Sequence, residues 1–214
     1  MDHHTNEYLQ RAYALADTSE AQTLYEEWAD GYDADLNDAK YVSPQRSVEA
    51  VVDNVSNISS AGELRILDAG CGTGLVGHYL AQSSLAKKAI VDGVDLTAGM
   101  LKVARAKGVY RDLDTADLNE SVNKPDGSYD VVLCVGTLTK GHVGPKVFAE
   151  FARLTSKSGL IVATVHGDIW ESGGYKAEAE RLRDGGVVSI VSTDEFGIIE
   201  GESKGGRMMI LQKV

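Results

Sequence analysis

The residues with the clearest chemistry lie in the run Asp68-Ala69-Gly70-Cys71-Gly72-Thr73-Gly74. It follows a short apolar stretch and opens a helical pattern, the setting in which a glycine-rich loop gains meaning. Glycines let the chain turn sharply and let a ligand lie against bare backbone. The helix starting near Leu75 points its free amides at such a ligand. Asp95 ends the next strand pattern, about 20 residues further on. An acid there takes the ribose hydroxyls of an adenosine-containing cofactor. The competing reading is a plain strand-to-helix turn with a surface aspartate. The spacing is Gly-x-Gly-x-Gly, not the Gly-x-Gly-x-x-Gly of dinucleotide folds, and the loop lies after residue 60, behind a helical arm.

Alternating elements must position these residues. Residues 6–16 read as a helix, broken at Asp17-Thr18-Ser19, and Ser19 can cap a second helix running to about Leu36. Ser43-Pro44 has the form of a helix start. Strand patterns cover residues 64–69, 89–96, 110–113, 129–135 and 160–166, with helices at 75–83, 98–107, 147–156 and 175–184 between and after them. Residues 187–193 and 207–213 can pair as a hairpin, with Gly205-Gly206 between them. This order predicts an α/β fold: a Rossmann-like doubly wound sheet, mostly parallel, with an antiparallel C-terminal hairpin. One domain is expected over residues 1–214, with a helical arm at 1–60 and the core at 61–214.

The chain has 214 residues, 43% hydrophobic and 25% charged, which suffices for a full core. Its formal net charge of −11 repels nucleic-acid phosphates and anionic membranes, and Lys and Arg form no run. A small-molecule partner is therefore expected, not nucleic acid or membrane. Cys71 and Cys134 are far apart and lack metal-ligand spacing, which points to a reducing, cytoplasmic setting. Asp92, Asp95 and Asp117 have no metal-binding arrangement, so no metal is expected. The start, Met1-Asp2-His3-His4, has no apolar segment of a secretory signal, and the His pair reads as a loose terminus rather than a metal site. A monomer or homodimer is expected.

Several segments together resemble the class I S-adenosylmethionine-dependent methyltransferases. LDAGCGTG at residues 67–74 looks like their first motif, and GVDLTAGML at 93–101 is similar to their second. TADLNE at 115–120 resembles the adenine-binding segment, YDVVLCVGTLTKGHVGP at 129–145 the methyl-facing region, and LTSKSGLIVATV at 154–165 the final motif. The arm YEEWADGYDADL at 25–36, with Tyr41 and Pro44, is similar to methyltransferase-like proteins of the Williams–Beuren-region type and their bacterial relatives, where an aromatic N-terminal helix lids the cofactor. The resemblance implies S-adenosyl-L-methionine as cofactor and S-adenosyl-L-homocysteine as product. It implies that Gly70, Cys71, Gly72 and Gly74 cradle the methionine part and that Asp68 holds its ammonium through water. Asp95 would bind ribose, Leu96 and Met100 would pack on adenine, and Asp117 and Leu118 would meet its edge. Cys134 and Val135 would line the methyl side, and Trp28 and Tyr32 would close the lid. Two departures stand out. Cys134-Val135-Gly136-Thr137 replaces the Asn/Asp-Pro-Pro-aromatic motif of amino-methylating enzymes, and Ser158-Gly159 replaces a paired glycine.

Methyl transfer from a sulfonium is an in-line displacement, so the protein mainly positions the acceptor. A base is needed only where the acceptor must lose a proton. His142 is the base candidate, against a structural or surface role. Thr137 and Lys140 can donate hydrogen bonds to an acceptor, although Lys140 also fits a solvated surface. His166, Trp170 and Tyr175 follow the fifth strand at the ligand-binding edge, where packing is the competing role. His78 reads as structural. The leading expectation is methylation of a small molecule at O, N or C. The rivals are a fold relative that binds the cofactor but catalyses a cyclisation or pericyclic step, and a non-catalytic regulatory module.

Overall fold

The computed structural model describes residues 7–15, 17–58 and 62–214. The His3-His4 pair and both ends of the expected first helix, Asn6 and Ala16, lie outside the described residues. Four helices come first: α1 (Glu7–Ala14), α2 (Thr18–Trp28), α3 (Tyr32–Asp38) and α4 (Ser43–Asn54). Then follow β1 (Leu64–Ala69), α5 (Leu75–Gln82), β2 (Ala89–Asp95), α6 (Ala98–Ala106), β3 (Tyr110–Thr115) and β4 (Tyr129–Leu138). The chain ends with α7 (Val147–Leu154), β5 (Thr155–His166), α8 (Tyr175–Asp184), β6 (Val188–Gly197) and β7 (Gly205–Lys213).

The seven strands lie in the order β3-β2-β1-β4-β5-β7-β6. The first five are parallel, and β7 runs antiparallel between β5 and β6. This is the expected α/β sheet. Alternate residues of a strand face opposite layers, which explains the near-continuous apolar runs of the central strands. Val131 and Leu133 of β4 pack with Val48 and Val51 of α4 and Val76 and Leu80 of α5. Val132 and Cys134 of the same strand pack with Phe148 and Phe151 of α7 and Leu182 of α8. Strand order reverses between β1 and β4, so their carboxyl ends open the crevice where such sheets bind ligands.

Four local expectations need correction. Asp17, not Ser19, caps α2: its Oδ1 accepts from the amides of Ser19 and Glu20 at 2.9 and 3.0 Å. The single helix expected from Ser19 to Leu36 is two, with α3 starting after Gly31. Apolar spacing continues through that break, so periodicity does not register it. Next, α7 stops at Leu154 and β5 begins at Thr155, paired with Tyr129 before the sheet shifts register to Val131 and Leu160. Finally, Gly205 and Gly206 belong to β7 itself and pair with Gly197 and Phe196. The Phe196 ring would stand 2.5 Å from a Cβ on Gly206, so close packing, not a turn, calls for that glycine.

Candidate active site

At the carboxyl end of β1 the chain turns over Gly70, whose φ is +74°. A Cβ there would lie 2.3 Å from Thr137 Oγ1 on β4, so only glycine fits between the two switch-point strands. The loop is stitched to β2. The Gly70 and Cys71 amides both donate to Val94 O, at 2.8 and 2.9 Å. The Gly72 amide donates to Asp95 Oδ2 at 2.8 Å. Asp95 Oδ1 accepts from Thr97 N at 3.0 Å and Thr97 Oγ1 at 3.1 Å. These bonds, with the Leu96 amide also facing the carboxylate, fix its orientation at the cavity wall. Burial pushes the Asp95 carboxyl up, against the pull of those donors.

Two cavities meet here. The first, about 90 Å³, is walled by Gly70, Gly72, Asp95, Leu96, Met100, Asp117, Leu118 and Thr137. Asp117 Oδ1 accepts from Asn119 N at 2.8 Å and Asn119 Nδ2 at 3.1 Å, and its second oxygen faces no such donor. The second cavity is larger, about 310 Å³, and is lined by Tyr13, Trp28, Leu36, Tyr41, His166, Phe196 and Ile198. Among the described residues that line it, His166 is the only basic side chain and there is no carboxylate. Tyr25, Tyr32 and Gly136 line both cavities and so form the shared boundary, the window, at which the two abut. A Cβ on Gly136 (φ +77°) would meet the Tyr41 hydroxyl at 2.6 Å, which makes glycine the window sill.

The arm covers the window. Trp28 stacks on Tyr8 at 5.4 Å and meets Tyr32 edge-on at 4.6 Å, while its Nε1 donates to Asp35 Oδ2 at 2.6 Å. Polar ties hold the arm to the core. Gly99 N donates to Glu26 Oε2 at 2.9 Å. Lys107 Nζ bridges Asp33 Oδ2 and Thr73 O, each at 2.6 Å, and Thr73 Oγ1 donates to Asp33 Oδ1. His142 lies beside the first cavity, with Nε2 2.9 Å from the Tyr25 hydroxyl and Nδ1 2.9 Å from Lys140 O. Burial lowers the His142 pKa below its ordinary 6.5.

Residues 66–159 match the methyltransferase domain family. Over 180 residues the chain is 29% identical to human methyltransferase-like protein 27, spanning 82% of this chain and 71% of that one. Residues 66–159 thus form a methyltransferase domain, and the chain is similar to the class I S-adenosylmethionine-dependent methyltransferases. Among solved structures, the magnesium protoporphyrin IX methyltransferase of Synechocystis PCC 6803 with bound S-adenosylhomocysteine superposes with a TM-score of 0.60 at 18% identity, covering 90% of this chain and 99% of that one. The [4+2]-cyclase SpnF superposes at 0.66 with 16% identity, covering 93% and 97%. These two likenesses concern the fold.

The methyltransferase cofactor fits the residues present. Asp68 Oδ1 is buried without a hydrogen-bond partner among the described residues, while Oδ2 accepts from the Tyr110 hydroxyl at 2.7 Å. Burial has pushed this carboxyl up to about 7, and a cationic ammonium would satisfy it. Asp95 lines the cavity as the acid for ribose, and Met100 and Leu118 offer apolar surface beside Asp117.

Other expected site residues lie elsewhere. Cys71 and Gly74 do not line the cofactor cavity. Cys71 packs with Leu101, Ala104 and Leu113, and Gly74 abuts Tyr110 and Ala104. Cys134 is fully buried in the core layer under α7, and its neighbour Val135 lines the cavity instead. Trp28 lines the second cavity, not the first. Trp170 and Tyr175 are core residues: both sit in the α7 layer, and the Tyr175 hydroxyl donates to Val143 O. Lys140 is exposed on an outer crevice. His166 does line the second cavity, with Tyr13 edge-on at 5.7 Å. Thr137 lies under the loop, its Oγ1 3.5 Å from Gly70 O. His78 pairs with Gln82 on α5. Asp92 is held by Arg111 and Tyr129, and among the described residues no cluster of three or more His, Cys, Asp or Glu is placed to hold a metal. Sequence reasoning assigned no site role to Tyr25, Tyr41 and Gly136. Tyr25 and Tyr32 stand on α2 and α3, on either side of the break at Gly31, so a single-helix spacing could not place them together.

Proposed function

We propose that this methyltransferase acts on a small, uncharged and largely apolar acceptor that lies in the 310 Å³ aromatic cavity. The observation that carries the reading is the shared window of Tyr25, Tyr32 and Gly136. S-Adenosylmethionine supplies an electrophilic methyl group when bound. The chain's own part is to hold the cofactor with Asp68, Gly70, Gly72, Asp95 and Asp117, and to seat the acceptor among the arm aromatics. Tyr32 and Gly136 then keep the reacting path narrow and free of bulk water, which favours an in-line approach. A cytoplasmic setting and a monomeric or homodimeric state complete the proposal. Both cysteines are free and buried, in keeping with reducing conditions. No described helix is long and apolar enough to cross a membrane.

The first test is isothermal titration with S-adenosylhomocysteine, on wild type and on Asp95→Ala. Binding lost in the variant supports the cofactor assignment. An acceptor screen read by mass follows. Gain of one methyl group, abolished by filling the second cavity with Ile198→Trp, supports the acceptor site. Rearranged product without a methyl gain would favour a cyclase, a reaction named for the fold neighbour above. Binding without any turnover, and biological activity unchanged in His142→Ala, would favour a regulatory module.

A further inference from the structure

Tyr25 stands on α2 at the window and lines both cavities. Its hydroxyl is 2.9 Å from His142 Nε2. The second ring nitrogen, Nδ1, is 2.9 Å from Lys140 O and 2.8 Å from Thr139 Oγ1. The Lys140 carbonyl only accepts, so its contact is a hydrogen bond in the Nδ1–H tautomer, the one the relay uses, in which Nε2 is bare. The Tyr25 hydroxyl must then donate to Nε2. Its oxygen keeps lone pairs that can accept from a group entering the window. His142 also lines an outer crevice with Asp17, Lys140 and Gly144. With Thr18 and Val143, the imidazole forms the wall that the first cavity and this crevice share.

We propose that Tyr25 and His142 form a proton relay from the window to the outer crevice, and that the acceptor is therefore a hydroxyl compound. The proposal rests on the methyltransferase reading above. The acceptor oxygen bonds to the methyl carbon as the carbon–sulfur bond breaks, its electron pair staying on sulfur. The acceptor proton passes to Tyr25 Oη, and the tyrosine's own proton passes to His142 Nε2. The imidazolium then gives a proton to water in the crevice. The positive charge of the sulfonium ends in solvent, so atoms and charge balance. Tyr25 is the catalytic residue, since it touches the acceptor, and His142 is the terminal proton acceptor behind it.

The surroundings suit these roles. Burial pushes the Tyr25 phenol far up, so it passes a proton on rather than standing ionised. Burial lowers the His142 pKa, so the ring is neutral at pH 7 and ready to accept. Groups facing the pair are Thr18 and Asp17 at the start of α2, Asn119 beyond β3, Thr139 and Lys140 in the ring's own loop, Asp95 across the window, and the phenols of Tyr13, Tyr32 and Tyr41. None of the carboxylates among them bonds to the ring.

The test is nitrogen-15 NMR of the His142 ring across a pH titration with S-adenosylhomocysteine bound, in wild type and Tyr25→Phe. The relay requires the Nδ1–H tautomer. It also requires that Tyr25→Phe raise the His142 pKa toward its ordinary value, because a donor to bare Nε2 is lost. Cofactor-product affinity should fall far less than in Asp95→Ala, since Tyr25→Phe keeps the ring that walls the cofactor cavity. With the first hydroxyl acceptor found, Tyr25→Phe should lower kcat by about 100-fold, the low end for lost acid–base catalysis, with KM little changed. An Nε2–H tautomer, or a His142 titration unmoved by Tyr25→Phe, would overturn the relay. If wild type fails to bind S-adenosylhomocysteine, the underlying cofactor reading falls instead.

Discussion

Single side chains set the strongest constraints on this site. Asp95 is proposed as the ribose acid from its position at the end of β2, beside the glycine loop. Hydrogen bonds to a charged group contribute about 1.5–3 kcal/mol. Asp95→Ala should therefore weaken S-adenosylhomocysteine binding by about 10- to 150-fold, read by titration calorimetry. Asp68 makes a different prediction. Its carboxyl is raised to about 7 by burial, so near pH 7 it is about half protonated before the cofactor arrives. A bound ammonium favours the carboxylate. Binding of S-adenosylmethionine should then release protons at pH 7, tighten as pH rises through 7, and lose both properties in Asp68→Asn. Calorimetry in buffers of different ionisation enthalpy measures this directly. At the window sill, Gly136→Ala meets both a left-handed backbone and the Tyr41 hydroxyl. The backbone alone costs about 1–2 kcal/mol. Turnover should fall further than stability, because the displaced tyrosine narrows the second cavity. A variant with melting temperature and turnover both unchanged would remove Gly136 from the argument.

Elements explain which residues were legible in advance. The glycine loop and Asp95 could be read because one strand-loop-helix unit fixes them locally. The Gly72–Asp95 bond adds only the neighbouring strand. Trp170 and Tyr175 misled because their place after β5 says nothing about which way they face. Both turn inward under α7, where an apolar layer already exists. Tyr41 could be named with the arm motif but not placed, for a third reason: it reaches the window through a bridge to Ile199, a partner far away in sequence. The shift of β5 to an earlier start also has a testable cost. Ser158 lies at its opening with φ +62°, a left-handed conformation that glycine adopts freely. Ser158→Gly should stabilise the fold by about 0.5–1 kcal/mol, after the extra freedom of glycine in the unfolded chain is subtracted. For a chain of this length that raises the melting temperature by about 1–4 °C.

At the scale of the molecule, the arm and the core form two walls of one enclosure. Asp33, Thr73 and Lys107 latch them together. The Lys107–Asp33 pair is part exposed, with side chains 18% and 38% accessible, so it adds at most about 1 kcal/mol after solvent screening. That is small for stability but relevant to opening. Asp33→Asn should leave the melting temperature almost unchanged and speed S-adenosylhomocysteine release by about two- to fivefold, the rate equivalent of such a pair. Stopped-flow dissociation measures it, and an unchanged rate would mean that the arm does not gate the cofactor.

The bridge from Tyr41 to Ile199 also bears on how the chain is made. The amide of Val42 donates to Ile198 O and that of Glu200 donates to Lys40 O, so an early segment and a late one close the same cavity. The cofactor cavity draws on residues up to Val143. On the ribosome the cofactor pocket can therefore assemble while the acceptor pocket has no far wall. At synthesis rates of about 5–20 residues per second, Tyr41 waits about 8–30 s for Ile199. During that interval the aromatic arm has no complete partner surface, and nascent chains at this stage are the ones that a chaperone for exposed apolar segments would meet.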